Sequence, residues 1–253
     1  MRNFKLEIEY DGTHYYGWQV QNGRKAAIGH QSTRTIQYVL EQTLKKILQE
    51  DIQLTVAGRT DSGVHALAQA ANFKSCTKMP LDKLRWALNC LLPEDIKVSR
   101  IKIVGSDFNS RFCAKSKLYR YTILNRKYSS ALLANRVYFF HYPLDVSLMR
   151  REAKALLGRH NFTAFQATEK RQRNPRRTIK RIKISKDKDL LLIDIQADSF
   201  LYNMVRSIAG TLLEIGRGRF PAGSMQKILK SRNRKLAGPT LPAKGLCLLK
   251  VRY

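Results

Sequence analysis

Apolar and polar residues alternate along "FKLEIEYDG" near the start of the chain, the period of a strand with one buried face. The period then changes. Within "TIQYVLEQTLKKILQE" the residues Ile36, Val39, Leu40, Thr43, Leu44, Ile47 and Leu48 fall on one helical stripe. "IQLTVAG" and "ALAQAANFKS" read as strands, Leu84, Ala87, Leu88 and Leu91 predict a second helix, and "IKVSRIKIV" predicts another strand. The sequence of periods then restarts. "KLYRYTIL" reads as a strand, "DVSLMRREAKALLG" as a helix capped by Asp145, and "TIKRIKIS" with "DLLLIDIQAD" as a hairpin around "KDK". "NMVRSIAGTLLEIG" predicts a helix whose apolar side carries Met204, Val205, Ile208, Leu212 and Leu213, and "GLCLLKVRY" closes the chain as a strand.

Two successive halves that each mix antiparallel strands with helices predict an α+β protein of two related lobes, residues 1–108 and 109–253. Each lobe is expected to carry a mixed, mainly antiparallel sheet with helices on one face, and a central basic cleft between lobes is the natural place for a site.

Composition narrows the partner. The chain has 253 residues, 43% of them hydrophobic, which is enough for real cores. Lys and Arg number 47 against 19 Asp and Glu, a formal charge of +28. An excess that large repels itself unless a polyanion is at hand, so nucleic acid is the expected partner. No apolar run is long enough for a membrane span, and the strand-like start does not resemble a secretion signal, so a cytoplasmic protein without a membrane partner is expected. Cys76, Cys90, Cys113 and Cys247 are scattered without a CxxC pair, and the five histidines include no HExxH. These cysteines are expected to be reduced and mostly buried, and no metal site is expected.

Against this charge one acid draws notice. "VAGRTDSGVHA" places Asp61 two residues from Arg59 in a turn bracketed by Gly58 and Gly63. A neighbouring cation favours the ionised carboxylate. The residues alone leave two readings open: an Arg-Asp pair pinning a turn, or a catalytic carboxylate. No acid cluster surrounds Asp61 to hold a metal, whereas a lone carboxylate can serve as nucleophile in a cofactor-free reaction. His65, in the same motif, has no evident Ser or Cys partner and reads as structural or RNA-contacting.

"AGRTDSGVHALAQ" closely resembles the signature of the tRNA pseudouridine synthases of the TruA family. "EYDGTHYYGWQVQ", "SRFCAKSKLYRYTILN", "FTAFQ", "NMVRSIAGTLLEIGRG" and "AKGLCLLKVRY" resemble that family in the same order, so the likeness covers nearly the whole chain. The resemblance implies an isomerase that breaks the bond between uracil N1 and ribose C1′ in tRNA, turns the base and joins C5 to C1′. Its targets would be uridines 38, 39 and 40 of the anticodon stem and loop. It further implies a homodimer and no cofactor.

By the same resemblance Asp61 is the catalytic aspartate, attacking C1′ or assisting elimination. Arg59 would hold it ionised and fill the space left by the extracted base. Tyr119 matches the active-site tyrosine, although strand periodicity alone does not separate it from Tyr121 two residues on. Arg173 and Arg177 match an Arg-rich active-site loop, Arg206 a position that contacts the substrate or Asp61, and Leu246 an apolar residue under the target base.

"KRQRNPRRTIKRIK" carries eight Lys or Arg in fourteen positions, expected to grip phosphates without reading sequence. "NGRKAAIGHQSTR", residues 22–34, is longer than the corresponding link in the family and reads as a flexible basic loop. Two other classes remain as alternatives: a tRNA-binding protein without catalysis, in which Asp61 is structural, and a metal-dependent RNA nuclease, which would need an acid cluster.

Overall fold

The structure, a computed structural model, describes residues 1–19, 34–167 and 174–253. Within these the chain forms two compact units, one made of Met1–Lys115 with Leu248–Tyr253, the other of Ser116–Cys247. The division therefore falls at Lys115 rather than at residue 108, and the end of the chain returns to the first unit.

In the first unit β1 (Arg2–Tyr10) lies between β4 (Ile96–Val104) and β3 (His65–Ser75), antiparallel to both, with the short β2 (Thr55–Val56) on the far side of β3. The alternation in β1 sends Phe4, Leu6, Ile8 and Tyr10 inward and Glu7 and Glu9 outward. Phe4 stacks on Phe73 across the β1–β3 pair, ring centroids 5.2 Å apart. Helices α1 (Ile36–Leu48) and α2 (Leu81–Leu91) close this unit, α1 burying Ile36, Leu40, Thr43 and Leu44. On α2 the inward residues are Leu84 and Leu88, while Leu91 is exposed and Leu92, just past the helix, is buried in its place.

The strand expected through "IQLTVAG" shrinks to two residues. Ile52 and Leu54 are buried, but the Leu54 N–H is taken at 2.8 Å by the Glu41 carboxylate, so the backbone needs no ladder partner there.

In the second unit the strand order is β5 (Ser116–Asn125), β9 (Leu190–Ala197), β8 (Arg176–Asp187), β7 (Gly158–Asn161), all antiparallel, with β6 (Tyr138–Phe140) parallel to β5. The β8–β9 hairpin turns through Lys188, which adopts a φ of 52°. Helix α3 (Val146–Ala153) starts at Asp145, whose carboxylate accepts the Leu148 N–H at 2.8 Å. Helix α4 (Met204–Gly216) differs from the one-sided stripe expected of it. Every residue of α4 except Arg206 is buried, because α3, α5 (Ser224–Ser231), β5 and the connecting segments cover it on all sides. Strand β10 (Leu246–Arg252) begins in this unit and ends in the first.

The cysteines correct the expectation of burial. Cys76, Cys90 and Cys113 are exposed and Cys247 half-buried. Cys90 falls on the side of α2 away from Leu84 and Leu88, Cys76 follows the end of β3, and Cys247 lies on the opposite face of β10 from the buried Leu246 and Leu248.

Helix α5 has no capping side chain of its own at Gly223. Glu152 of α3 supplies one, its two carboxylate oxygens accepting the N–H groups of Gly223 at 2.7 Å and Met225 at 3.0 Å. Glu152→Ala is expected to cost about 1 kcal/mol. That would lower the thermal midpoint by about 2–4 °C; an unchanged midpoint in a melting scan would show that water replaces the carboxylate.

Candidate active site

The turn that carries Asp61 is built between β2 and β3 and held at almost every step. Ala57 N–H bonds the Ala70 carbonyl at 2.8 Å, and the Gly58 carbonyl accepts from the side chain of Gln69 at 2.9 Å. Gln69 is fully buried, and its amide also lies 3.4 Å from the Tyr10 hydroxyl. Tyr10 in turn shares a hydrogen bond of 2.8 Å with the hydroxyl of buried Thr60. The Thr60 carbonyl takes the Trp18 N–H at 3.0 Å, and the Val64 N–H bonds back to the Asp61 carbonyl at 3.2 Å, closing the turn.

A second turn, from "YDGTHYYGW", packs against it. The Tyr15 carbonyl accepts both the Ser62 hydroxyl at 3.1 Å and the Gly63 N–H at 3.3 Å. Gly12 and Gly17 make the approach possible. A Cβ on Gly12 would lie 2.0 Å from the Val64 carbonyl oxygen, and one on Gly17 would lie 2.6 Å from that of Thr60. Gly17 also has a φ of +83°, which an L side chain rarely adopts. The N-terminus of α1 continues this frame, its Ile36 and Gln37 N–H groups bonding the carbonyls of Gly17 and Trp18.

His65 belongs to the frame. It is buried, and its Nδ1 accepts the Gly12 N–H at 3.1 Å and lies 3.1 Å from Asp11 Oδ1. Tyr15 is fixed through its hydroxyl, which donates to Asp95 at 2.6 Å. Burial first, and then this bond, push the Tyr15 phenol well above its ordinary value. The product is a rigid turn on which Asp61 is half-buried and Arg59 exposed.

The other candidates belong to the second unit. Tyr119 and Tyr121 both come from β5, opposite Ile195 and Ile193 of β9. Tyr121 is fully buried and donates its hydroxyl to the Pro242 carbonyl at 2.8 Å, with its phenol raised far above the ordinary value by burial. That hydroxyl is spent on packing. Tyr119 is 7% exposed, and its ring meets the edge of Phe200 at 5.1 Å and 86°. Strand period treats the two tyrosines alike, but their surroundings do not.

Arg206 is tied down on the first turn of α4, Nε to the Leu241 carbonyl at 2.6 Å and Nη1 to Asn203 Oδ1 at 2.8 Å. Arg177 is half-buried, and its Nη1 bonds the carbonyls of Asn174 and Arg176. Leu246 is buried at the start of β10. Arg173 lies outside the described residues, as do Lys170 and Arg171 of the basic tract and all of the 22–34 loop except Arg34. The guanidinium of Arg34 sits 5.6 Å from the Tyr15 ring.

The frame residues Tyr10, Gly17, Thr60 and Gln69 escape a reading of the sequence by pattern. A signal existed in Gln69 and Asn72, buried amides inside a strand of small apolar residues, because a buried amide must find partners and so marks a loop it holds.

A family model described as tRNA pseudouridine synthase matches residues 7–113 and 153–253. The chain belongs to the tRNA pseudouridine synthase family. The match includes Arg59, Asp61, Arg177, Arg206 and Leu246, and Tyr119 falls between its two stretches. Curated members of the family are similar from end to end. The tRNA pseudouridine synthase A of Thermoanaerobacter sp. (strain X514) is 44% identical over 253 residues, covering all of both chains. That of Acetivibrio thermocellus is 43% identical, and tRNA pseudouridine synthase A 2 of Clostridium perfringens 44%, again over the full length of both chains.

Among the described residues no three His, Cys, Asp or Glu side chains gather as metal ligands would, and no helix is long and apolar enough to cross a membrane.

The two interlocked turns predict a specific fragility in this synthase. Gly17→Ala combines an unfavourable φ with a contact against the Thr60 carbonyl, and should cost about 2 kcal/mol or more. Calorimetry would show this as a midpoint lowered by several degrees; a wild-type midpoint would mean the two turns separate without cost.

Proposed function

We propose that the turn at Asp61 is where a uridine of tRNA is isomerised to pseudouridine, with the Asp61 carboxylate as nucleophile. Membership of the family makes the protein an isomerase acting on tRNA uridine. The observation that carries the residue assignment is the frame itself. Hydrogen bonds to Thr60, Ser62, Gly63 and Val64 fix the backbone on both sides of one half-buried acid, the pre-organisation a nucleophile needs.

The chemistry is an exchange of bonds on one ribose. Attack at C1′ breaks the bond to uracil N1, and the electron pair leaves with the base. The base turns, C5 bonds to C1′ as the carboxylate departs, and the C5 proton is lost to restore the ring. Tyr119 presents a ring edge-on to Phe200 and is the residue we assign to stack on the uracil and assist that proton transfer. Arg59 pairs with the acid and fills the space left by the extracted base, Arg177 belongs to the Arg-rich loop of the site, Arg206 contacts the substrate or Asp61, and Leu246 supplies an apolar floor under the base. Uridines 38, 39 and 40 as targets, homodimeric assembly and a cytoplasmic location follow from the family resemblance as parts of the same proposal.

Asp61→Asn keeps the shape of the side chain and removes its charge and nucleophilic oxygen. The expected variant melts like the wild type, binds tRNA equally or slightly more tightly, and forms no pseudouridine in a single-turnover assay. A folded variant isomerising at the wild-type rate would falsify the assignment. Failure of the wild type itself to form pseudouridine would favour a tRNA-binding protein without catalysis.

A further inference from the structure

The segment after β4 forms a further well-held turn in the first unit, and the isomerisation as derived above does not use it. The Asn109 side chain accepts the N–H groups of Arg111 at 2.9 Å and Phe112 at 3.2 Å, and the Asn109 carbonyl accepts the Cys113 N–H at 2.9 Å. Ser110 is anchored on both sides, its N–H to buried Asn72 at 2.8 Å and its carbonyl to the Tyr253 hydroxyl at 3.2 Å. Lys115 then bonds through its N–H to the Arg252 carbonyl at 2.8 Å.

Despite that rigidity, Phe112 is 76% exposed. The backbone before the ring is pinned to buried Asn72 and the backbone after it to the carbonyls of Asn109 and Arg252, so the ring is carried on a turn fixed at both ends. Single exposed apolar residues are common, but this one is set among cations. The Arg111 guanidinium lies 5.4 Å from the ring centroid, and the side chains of Arg111, Lys115 and Arg252 are all exposed around the anchored backbone. A bare aromatic face with several cations is the combination that binds single-stranded nucleic acid, the ring by stacking and the cations by phosphate contact.

We propose that Phe112 stacks on an unpaired nucleobase of the tRNA, with Arg111, Lys115 and Arg252 on the flanking phosphates. This contact is separate from the turn that carries Asp61 and rests on the tRNA reading above. Charge complementarity selects the occupant: the exposed Arg111, Lys115 and Arg252 favour a polyanion at this face, where the same face of a second copy would bring like cations together. The contact acts in binding, not in the chemical step.

The test compares Phe112→Leu, which keeps apolar bulk and loses the aromatic face, with Phe112→Trp, which keeps it. Dissociation constants for unmodified tRNA are measured over a range of salt, with sedimentation on the same preparations. Phe112→Leu should bind about 5- to 150-fold more weakly. Its salt slope and its single-turnover rate at saturating tRNA should match the wild type, and Phe112→Trp should restore affinity. Arg111→Ala with Lys115→Ala should instead reduce the salt slope, by about one to two.

Affinity within twofold of wild type in Phe112→Leu would overturn the proposal. So would an affinity loss that tracks a shift to a smaller sedimenting species, since the ring would then serve a second copy. Binding is read independently of turnover, so a wild type that binds tRNA without isomerising it would sink the catalytic reading while the patch is still judged on affinity.

Discussion

Two stretches of backbone, distant in sequence, touch where Gly17 lies against the peptide of Thr60 and Asp61. No side chain fits between them, since a Cβ on Gly17 would come within 2.6 Å of the Thr60 carbonyl oxygen. The orientation of the Asp61 turn, the start of α1 and the burial of Trp18 all depend on that approach, because Trp18 N–H and Ile36 N–H complete hydrogen bonds on its two sides. A loop that carried the same acid without this support would sample many positions, and ordering it at each turnover would raise the barrier.

The chain's shortage of acids gives the remaining carboxylates visible tasks. Asp95 takes the Tyr15 hydroxyl, Asp145 caps α3, Glu152 caps α5, and Asp194 makes a two-pronged pair with Arg120 at 2.7 and 2.8 Å. Asp198 collects the Thr178 and Ser199 N–H groups. Each lies within its own unit and accepts from donors that fix a helix start, a turn or a cross-strand pair. These acids are used to hold backbone and side chains in place, which leaves the excess of Lys and Arg to set the field that meets tRNA.

Legibility in the sequence followed the range of the interactions. β1 and β4 and the inner stripe of α1 were visible because alternation and helical period are local. The short β6 and β7 carry too few residues for a period, and the fate of Leu54 was decided by Glu41 on another element. Helix α4 misled through its charges: Arg206 and Glu214 imply a wet face, but the Arg206 guanidinium bonds Leu241 and Asn203, and Glu214 is buried beside Arg217 and Arg219. At the site, Asp61 stood out as an acid between glycines, whereas the Tyr15, Gly12 and Gly17 contacts that hold it come from a turn more than forty residues earlier. Tyr119 and Tyr121 are equivalent by period; the family resemblance picks Tyr119, and the structure spends the Tyr121 hydroxyl on the carbonyl of Pro242 while the Tyr119 ring meets Phe200.

The central claim is that catalysis requires a carboxylate at the one position these interlocked turns define. Asp61→Glu tests it most directly, because the charge and the nucleophilic oxygens are retained and only their reach changes, by one methylene. Single-turnover pseudouridine formation at saturating tRNA should fall at least about 100-fold, the scale on which a misplacement of roughly 1 Å acts, while melting and tRNA affinity stay at wild-type values. A Glu variant that isomerises uridine at the wild-type rate would contradict the account.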